Sequence, residues 1–253
     1  MAKTLVVKIG SSTLTTKSGK LDTFNLKRIV KEISELKKSG QKVIIVSSGA
    51  IVCGAEKLKL GKPKTMPEKQ AAAAVGQSTL MRQYEKAFES HGLITAQILI
   101  TSDIIDSREH RLNARNTLNT LLKERVVPIV NENDTVTTDE IKIGDNDTLA
   151  ALTAKLIKAD ALIILSDVDG FYLNKKLVSE IKGLTAEIKK AAGHPVTQHG
   201  TGGMKTKLEA YTICSKAGIK MHLINGRKKG LIKQIVSGDK KAGTTFWPKK
   251  QKS

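Results

Sequence analysis

The chain has 253 residues, 40% of them hydrophobic, with 43 Lys and Arg against 24 Asp and Glu and a formal net charge of +19. That length carries one large α/β domain or two small ones, and no apolar run reaches the roughly 18 residues of a membrane span. The basic residues are spread along the chain and aromatic residues make up only 3%, too few to stack on unpaired bases. Nucleic acid is therefore set aside as the main partner in favour of small anions such as nucleotides.

Cys53 and Cys214 lack CxxC spacing and read as buried packing residues in a reducing compartment. The first strand begins almost at once, leaving no secretory signal in view, and a cytoplasmic location is the expectation. No internal repeat, linker or domain boundary is visible, so residues 1–253 are read as a single domain.

An apolar strand over Leu5 to Ile9 carries Lys8 and ends in Gly10-Ser11-Ser12. A lysine near the end of a buried strand must send its head to solvent or to an anion. The glycine and serines after it offer N–H and O–H groups to a phosphate. Asp22 caps a helix running to about Ser39, with Leu26, Ile29, Val30, Ile33 and Leu36 on one face and Gly40 as its stop. A second strand, Val43 to Val46, ends in Ser47-Ser48-Gly49-Ala50 and leads to a helix from Ile51 to Leu60. The start of that helix either faces an anion or is an ordinary serine cap.

After the loop Gly61 to Lys64 comes a long helix, Pro67 to about Ser90, with Pro67 in its first turn. Ala71 to Ala74 and Gly76 allow another helix to pack closely. Leu93 to Ile100 is a third strand and Arg108 to Glu124 a polar helix. The stretch Val126 to Leu156 organises the rest. A buried strand, Val126 to Val130, breaks into Asn131-Glu132-Asn133-Asp134, and Thr135 to Ile143 reads as a hairpin or flap. Lys142 to Asp147 then enters an Ala- and Leu-rich helix ending near Ala159. Either aspartate, Asp145 or Asp147, fits a helix cap, but two clusters so dense in amides and carboxylates point to a ligand.

Ala161 to Leu165 is another buried strand, ending in Ser166-Asp167-Val168-Asp169-Gly170. Lys175 to Lys182 reads as a surface excursion and Leu184 to Ala191 as a short helix. Gly200-Thr201-Gly202-Gly203-Met204-Lys205-Thr206-Lys207 then opens a helix. Glycines let a backbone approach phosphate, and the helix N-terminus adds favourable partial charge. Ile219 to Ile224 is a late strand, Asn225-Gly226 a turn, Thr244 to Phe246 an edge strand, and Lys249 to Ser253 a solvated tail.

Strands alternating with helices predict a parallel sheet covered on both faces. Polar clusters at the carboxyl ends of such strands converge on one crevice, and lysines, glycine loops and acid or amide groups together suggest phosphoryl transfer. The P-loop GxxxxGK[ST] is absent, as are the protein-kinase HRD and DFG motifs, HExxH and GxSxG.

The runs VVKIGSS, VSSGAI, AAVGQS (Ala73 to Ser78), LNARNT (Leu112 to Thr117), VNENDTV, KIGDND and GTGGMKTK resemble, in that order, the amino acid kinase family, and specifically its glutamate-phosphorylating branch. The match runs to about Phe246. It implies a three-layer αβα sandwich around a mainly parallel sheet. The activity implied is ATP-dependent phosphorylation of the γ-carboxylate of L-glutamate in proline biosynthesis, with Mg²⁺ accompanying ATP. By resemblance, Lys8 and Lys207 contact the transferring phosphoryl group and Asp147 organises those lysines. Ser48, Asp134 and Asn146 hold glutamate. Ser166, Asp167 and the loop Thr201, Gly202, Gly203, Met204, Lys205, Thr206 and Lys207 hold the nucleotide. Asn131 and Lys142 are further candidates.

A protein ligand set for a metal is not expected. Proline as feedback inhibitor and a homo-oligomer, dimer or tetramer, are further family expectations. The C-terminal domain of the kind found in RNA-modifying enzymes, which many members carry, is not expected here. Another family member acting on carbamate, acetylglutamate or a nucleoside monophosphate would keep the lysines and the glycine loop. A basic nucleic-acid-binding protein is the alternative of a different class.

Overall fold

The computed structural model describes residues 2–101, 107–136, 146–193, 203–239 and 241–249. In chain order, β1 (Thr4–Ile9) leads through α1 (Ser11–Leu14) and α2 (Thr23–Lys38) to β2 (Lys42–Ser47). Helices α3 (Ala50–Lys57) and α4 (Met66–Glu89) come next, followed by β3 (Thr95–Ile100), α5 (Arg108–Lys123) and β4 (Val127–Glu132). The second half holds α6 (Asn146–Ile157), β5 (Ala161–Ser166), β6 (Phe171–Leu173), β7 (Lys176–Val178), β8 (Glu180–Ile181) and α7 (Ala186–Ala192). It closes with α8 (Met204–Lys216), β9 (Lys220–Asn225), α9 (Leu231–Ser237) and β10 (Thr244–Phe246).

Eight strands form one sheet in the order β3-β4-β2-β1-β5-β9-β10-β8. The pairs from β3 to β9 are all parallel, so six strands end at one edge. Alternation along each strand sorts its side chains between two cores. Leu5, Val7, Ile9, Val43, Ile45 and Ile129 face α2, α4 and α9, whereas Val6, Ile44, Val46, Val130, Leu162 and Ile164 face α5, α6 and α8. The expected αβα sandwich is the architecture found. Burying each such aliphatic side chain contributes about 1.5–3 kcal/mol.

Helix signals in the sequence act as expected. The Asp22 carboxylate accepts from Asn25 N–H at 2.9 Å, and Pro67 sits in the first turn of α4, where Thr65 and Glu68 add a reciprocal capping box that the sequence reading did not include. Differences lie in short elements. Thr244 to Phe246 is not an edge strand, because β10 lies between β9, antiparallel, and β8, parallel. The excursion Lys175 to Lys182 contains β7 and β8, with β6 and β7 pairing as a separate hairpin. Helix α3 stops at Lys57 rather than Leu60, where Lys59 takes positive φ (54°). The proposed flap from Thr135 lies, from residue 137 to 143, outside the described residues.

Helices α3 and α4 touch through their glycines. A Cβ on Gly76 would lie 1.8 Å from the Ala50 carbonyl oxygen, and one on Gly54 would lie 1.7 Å from that of Ala72. Backbone meets backbone here, so no flexible side chain can give way. Gly76→Ala is expected to force the helices apart and lower stability by about 1–3 kcal/mol, the usual scale of overpacking. Urea denaturation checks this, and an unchanged midpoint would remove the close crossing from the account.

Candidate active site

Parity along β1 decides where Lys8 points. It shares the face of Val6, toward α6 and α8, and pairs in register with Val46 and Ile164. Its ammonium meets the first turn of α6, where Lys8 Nζ lies 2.7 Å from Asp147 Oδ1. From the first turn of α8, Lys207 Nζ reaches Asp147 Oδ2 at 3.2 Å, and Thr206 Oγ1 donates to the same oxygen at 2.8 Å. Lys8, Asp147 and Lys207 are 7%, 1% and 6% exposed.

Burial alone would raise the Asp147 carboxyl. The ammoniums of Lys8 and Lys207 outweigh it and hold the group well below the ordinary carboxylate range. One carboxylate thus holds two cations, one on each oxygen, leaving one positive charge in excess. A Cβ on Gly10 would lie 3.5 Å from Lys8 Nζ, so the bare glycine keeps the space beside the ammonium open. Gly203 precedes α8 with no side chain to cap it, leaving first-turn N–H groups for an anion.

The amide cluster lies beside this clamp. Asn146, 2% exposed, directs Nδ2 to the Ser47 carbonyl (2.8 Å), Ser48 Oγ (3.0 Å) and Asn131 Oδ1 (3.0 Å). Ser47 Oγ shares a hydrogen bond with Tyr84 OH at 2.8 Å. Gly49 precedes α3 at φ 110°, and that helix also lacks a side-chain cap. Asp134, in the turn after β4, is 7% exposed, and burial pushes its carboxyl up to about 6. Such a group gains from a cationic partner.

Ser166 ends β5 and Asp167 follows it, with Ser166 Oγ donating to Asp167 Oδ1 at 3.1 Å. The turn after β9 ties this wall to the first loop. Arg227 donates to the carbonyls of Ser12 and Thr15, each at 2.6 Å. Lys228 and Asn225 both hold Asp169 Oδ1, at 2.7 and 2.8 Å. The structure therefore gathers Lys8, Asp147, Thr206 and Lys207 in one cluster and Ser48, Asn131 and Asn146 in another. Gly203, Met204 and Lys205 begin α8, and Lys205 is exposed. Thr201, Gly202 and Lys142 lie outside the described residues.

Sequence reasoning missed Tyr84 and Gln77, both on α4. Gln77 Oε1 accepts from Asn131 Nδ2 at 2.8 Å. The available signal was a glutamine beside Gly76 in a run of small residues, where a helix comes close. Among the described residues no three His, Cys, Asp or Glu side chains are grouped to hold a metal, and no helix is long and apolar enough to cross a membrane. A separate cavity between Lys3, Asp160, His222 and Trp247 contains none of the candidate residues.

Replacing Asp147 by Asn would leave two buried ammoniums without their counter-charge. The expected loss is about 3–5 kcal/mol of stability, the scale for breaking a buried pair from one side. Because the lysines depress this carboxyl, its contribution is present above the ordinary carboxylate pKa and is lost only as pH falls through the lower folded value. Urea unfolding of Asp147→Asn at neutral pH checks this, and wild-type stability would contradict it.

Residues 3–225 match the amino acid kinase family. Over 255 residues the chain is 49% identical to a glutamate 5-kinase of Thermoanaerobacter sp. (strain X514), covering 98% of this chain and 68% of that protein. It is 49% identical to the glutamate 5-kinase of Clostridium acetobutylicum, covering 97% of this chain and 94% of that one. Carbamate kinase from Giardia lamblia bound to AMP-PNP has the same fold, with a TM-score of 0.70 at 18% identity over 98% of this chain and 99% of that one. With its strand-end lysine and glycine-opened helix meeting on one aspartate, and with these relatives, the chain belongs to the amino acid kinase family.

Proposed function

We propose that the chain transfers the γ-phosphoryl group of ATP to the γ-carboxylate of L-glutamate, giving ADP and L-glutamyl 5-phosphate, the first step of proline biosynthesis. The observation that carries this reading is the Asp147 clamp, which holds two buried lysines beside the Ser48–Asn131–Asn146 cluster. High identity to proteins named glutamate 5-kinase selects glutamate as the acceptor.

A side-chain carboxylate with a reference pKa of about 4.3 is already ionised at neutral pH and needs no general base. One of its oxygens forms the new bond to the γ-phosphorus as the bond from that phosphorus to the β–γ bridging oxygen breaks. The leaving electron pair stays on ADP. The obstacle is repulsion between two anions, and the answer is fixed positive charge and positioning. Lys8 and Lys207 face the phosphoryl oxygens. Asp147 keeps both lysines in place and takes no proton.

Ser48 and Asn146 orient the acceptor, and Asp134 receives its α-ammonium. Ser166, Asp167 and the stretch Thr201 to Lys207 receive the nucleotide. The Asp147 carboxylate is engaged by Lys8, Lys207 and Thr206, so these residues would leave a Mg²⁺ ion to be held by the nucleotide rather than by a protein carboxylate. Such an ion would neutralise phosphate charge. Asn131 supports Asn146, and Lys142 adds positive charge from the adjoining segment. Proline as feedback inhibitor through the Thr135 to Ile143 segment, and a homo-oligomer, complete the reading.

ADP release with Mg-ATP, measured with glutamate, aspartate, acetylglutamate, carbamate and UMP, tests the assignment. Hydroxylamine in the assay traps an acyl phosphate as its hydroxamate. Glutamate-dependent ADP with stoichiometric hydroxamate is expected, and turnover with another acceptor alone would reassign the pocket. Lys8→Ala and Lys207→Ala are each expected to lower kcat by about 10²- to 10³-fold, the scale for losing a donor to a transition state. Near-wild-type turnover in either would sink the roles given to the lysines. Asp134 must be ionised to receive an ammonium, so KM for glutamate should rise several-fold as pH falls below about 6. Asp134→Asn should have a raised KM without that rise, and a KM profile unchanged by the substitution would contradict its role.

A further inference from the structure

Helix α4 contributes a polar side chain to the acceptor pocket from outside the strand ends. Asn131 shares the face of Val127 and Ile129, which meets the core containing α4. There Gln77 follows Gly76, the residue that brings α4 against the first turn of α3. Backbone groups fix two of the three amides in this chain. The Glu132 N–H donates to Asn131 Oδ1 at 2.9 Å, and the Ser47 carbonyl accepts from Asn146 Nδ2 at 2.8 Å. With its oxygen turned toward Glu132 and Asn146, Asn131 presents Nδ2 to Gln77 Oε1.

A flipped Asn131 would set two N–H donors against each other at Glu132 and two acceptors against each other at Gln77. At the two ends of this amide network, Asn146 Oδ1 and Gln77 Nε2 are buried with no hydrogen-bond partner among the described residues. Leaving buried amide atoms unpaired is costly, so the two end atoms call for a physical reason. The set of hydrogen bonds is one connected network in which each amide limits the next.

We propose that Gln77 is a positioning residue for the amino-acid acceptor, holding Asn131 and through it Asn146 in the one amide orientation that fits glutamate. The inference rests on reading this pocket as the glutamate site. Gln77 makes no contact with the Lys8–Asp147–Lys207 cluster among the described hydrogen bonds and ion pairs, so its effect should fall on the acceptor rather than on ATP.

The test is steady-state kinetics of the full chain with Gln77→Met, which keeps length and removes both polar atoms. Gln77→Ala, favourable in a helix, serves as a second variant should Met pack poorly. Leaving the Asn131 donor unpaired is expected to raise KM for glutamate about tenfold, with KM for ATP changed less than about twofold. In an Asn131→Ala background the same substitution should add little, because a residue acting through another gives non-additive effects. An unchanged glutamate KM, equal rises in both KM values, or additive effects in the double variant would each overturn the inference. Wild-type protein that does not phosphorylate glutamate would overturn the assignment of the pocket and this inference with it.

Discussion

Two ammonium groups bound to one buried carboxylate are the interaction on which the rest depends. Asp147 is drawn from a helix start, Lys8 from a strand and Lys207 from a different helix. None of the three could be buried alone at acceptable cost, since an isolated buried charge loses several kcal/mol of hydration. Together they are tolerated, and they retain an excess positive charge at the carboxyl edge of the sheet. The same contacts that join α6 and α8 to β1 thus set the electrostatics of the site.

The sheet supplies the geometry. Six parallel strands from β3 to β9 end at one edge, so short polar turns from distant parts of the chain become neighbours. Parity then assigns each turn residue to a face. Lys8 continues the face of Val6 and meets α6 and α8, whereas Ser47 and Asn131 continue the opposite face and meet Tyr84 and Gln77 of α4. The close crossing at Gly54 and Gly76 holds α3 and α4 against each other. In this way a packing contact between helices fixes the height of Ser48 and Gly49 at the sheet edge.

Much of this was legible in the sequence. Bounded apolar runs gave away β1, β2, β4, β5 and β9, and the Asp22 and Pro67 signals placed two helices. Lys8 was visible as a polar residue in an apolar strand, but its pairing with Asp147 was legible only through the family resemblance, because the fold alone brings that carboxylate to it. Thr244 to Phe246 was misplaced because β8, its outer neighbour, is only two residues long and carries no periodicity. The β6–β7 hairpin turns at Asn174 and Lys175, both at positive φ (49° and 63°). Such a turn usually announces itself by glycine, and this one has none. Gln77 was visible only as a polar residue beside Gly76 in a run of small residues, and its role follows from the helix crossing there.

The account stands or falls on Asp147 acting by holding the lysines rather than by moving a proton. Turnover of Asp147→Asn, at saturating ATP and glutamate from pH 6 to 9, measures this most directly. The account predicts a kcat lowered by about 10²-fold or more, comparable to losing a transition-state donor, and level across that pH range. Turnover near that of the wild type would contradict it, because the lysines would then hold their places without the carboxylate.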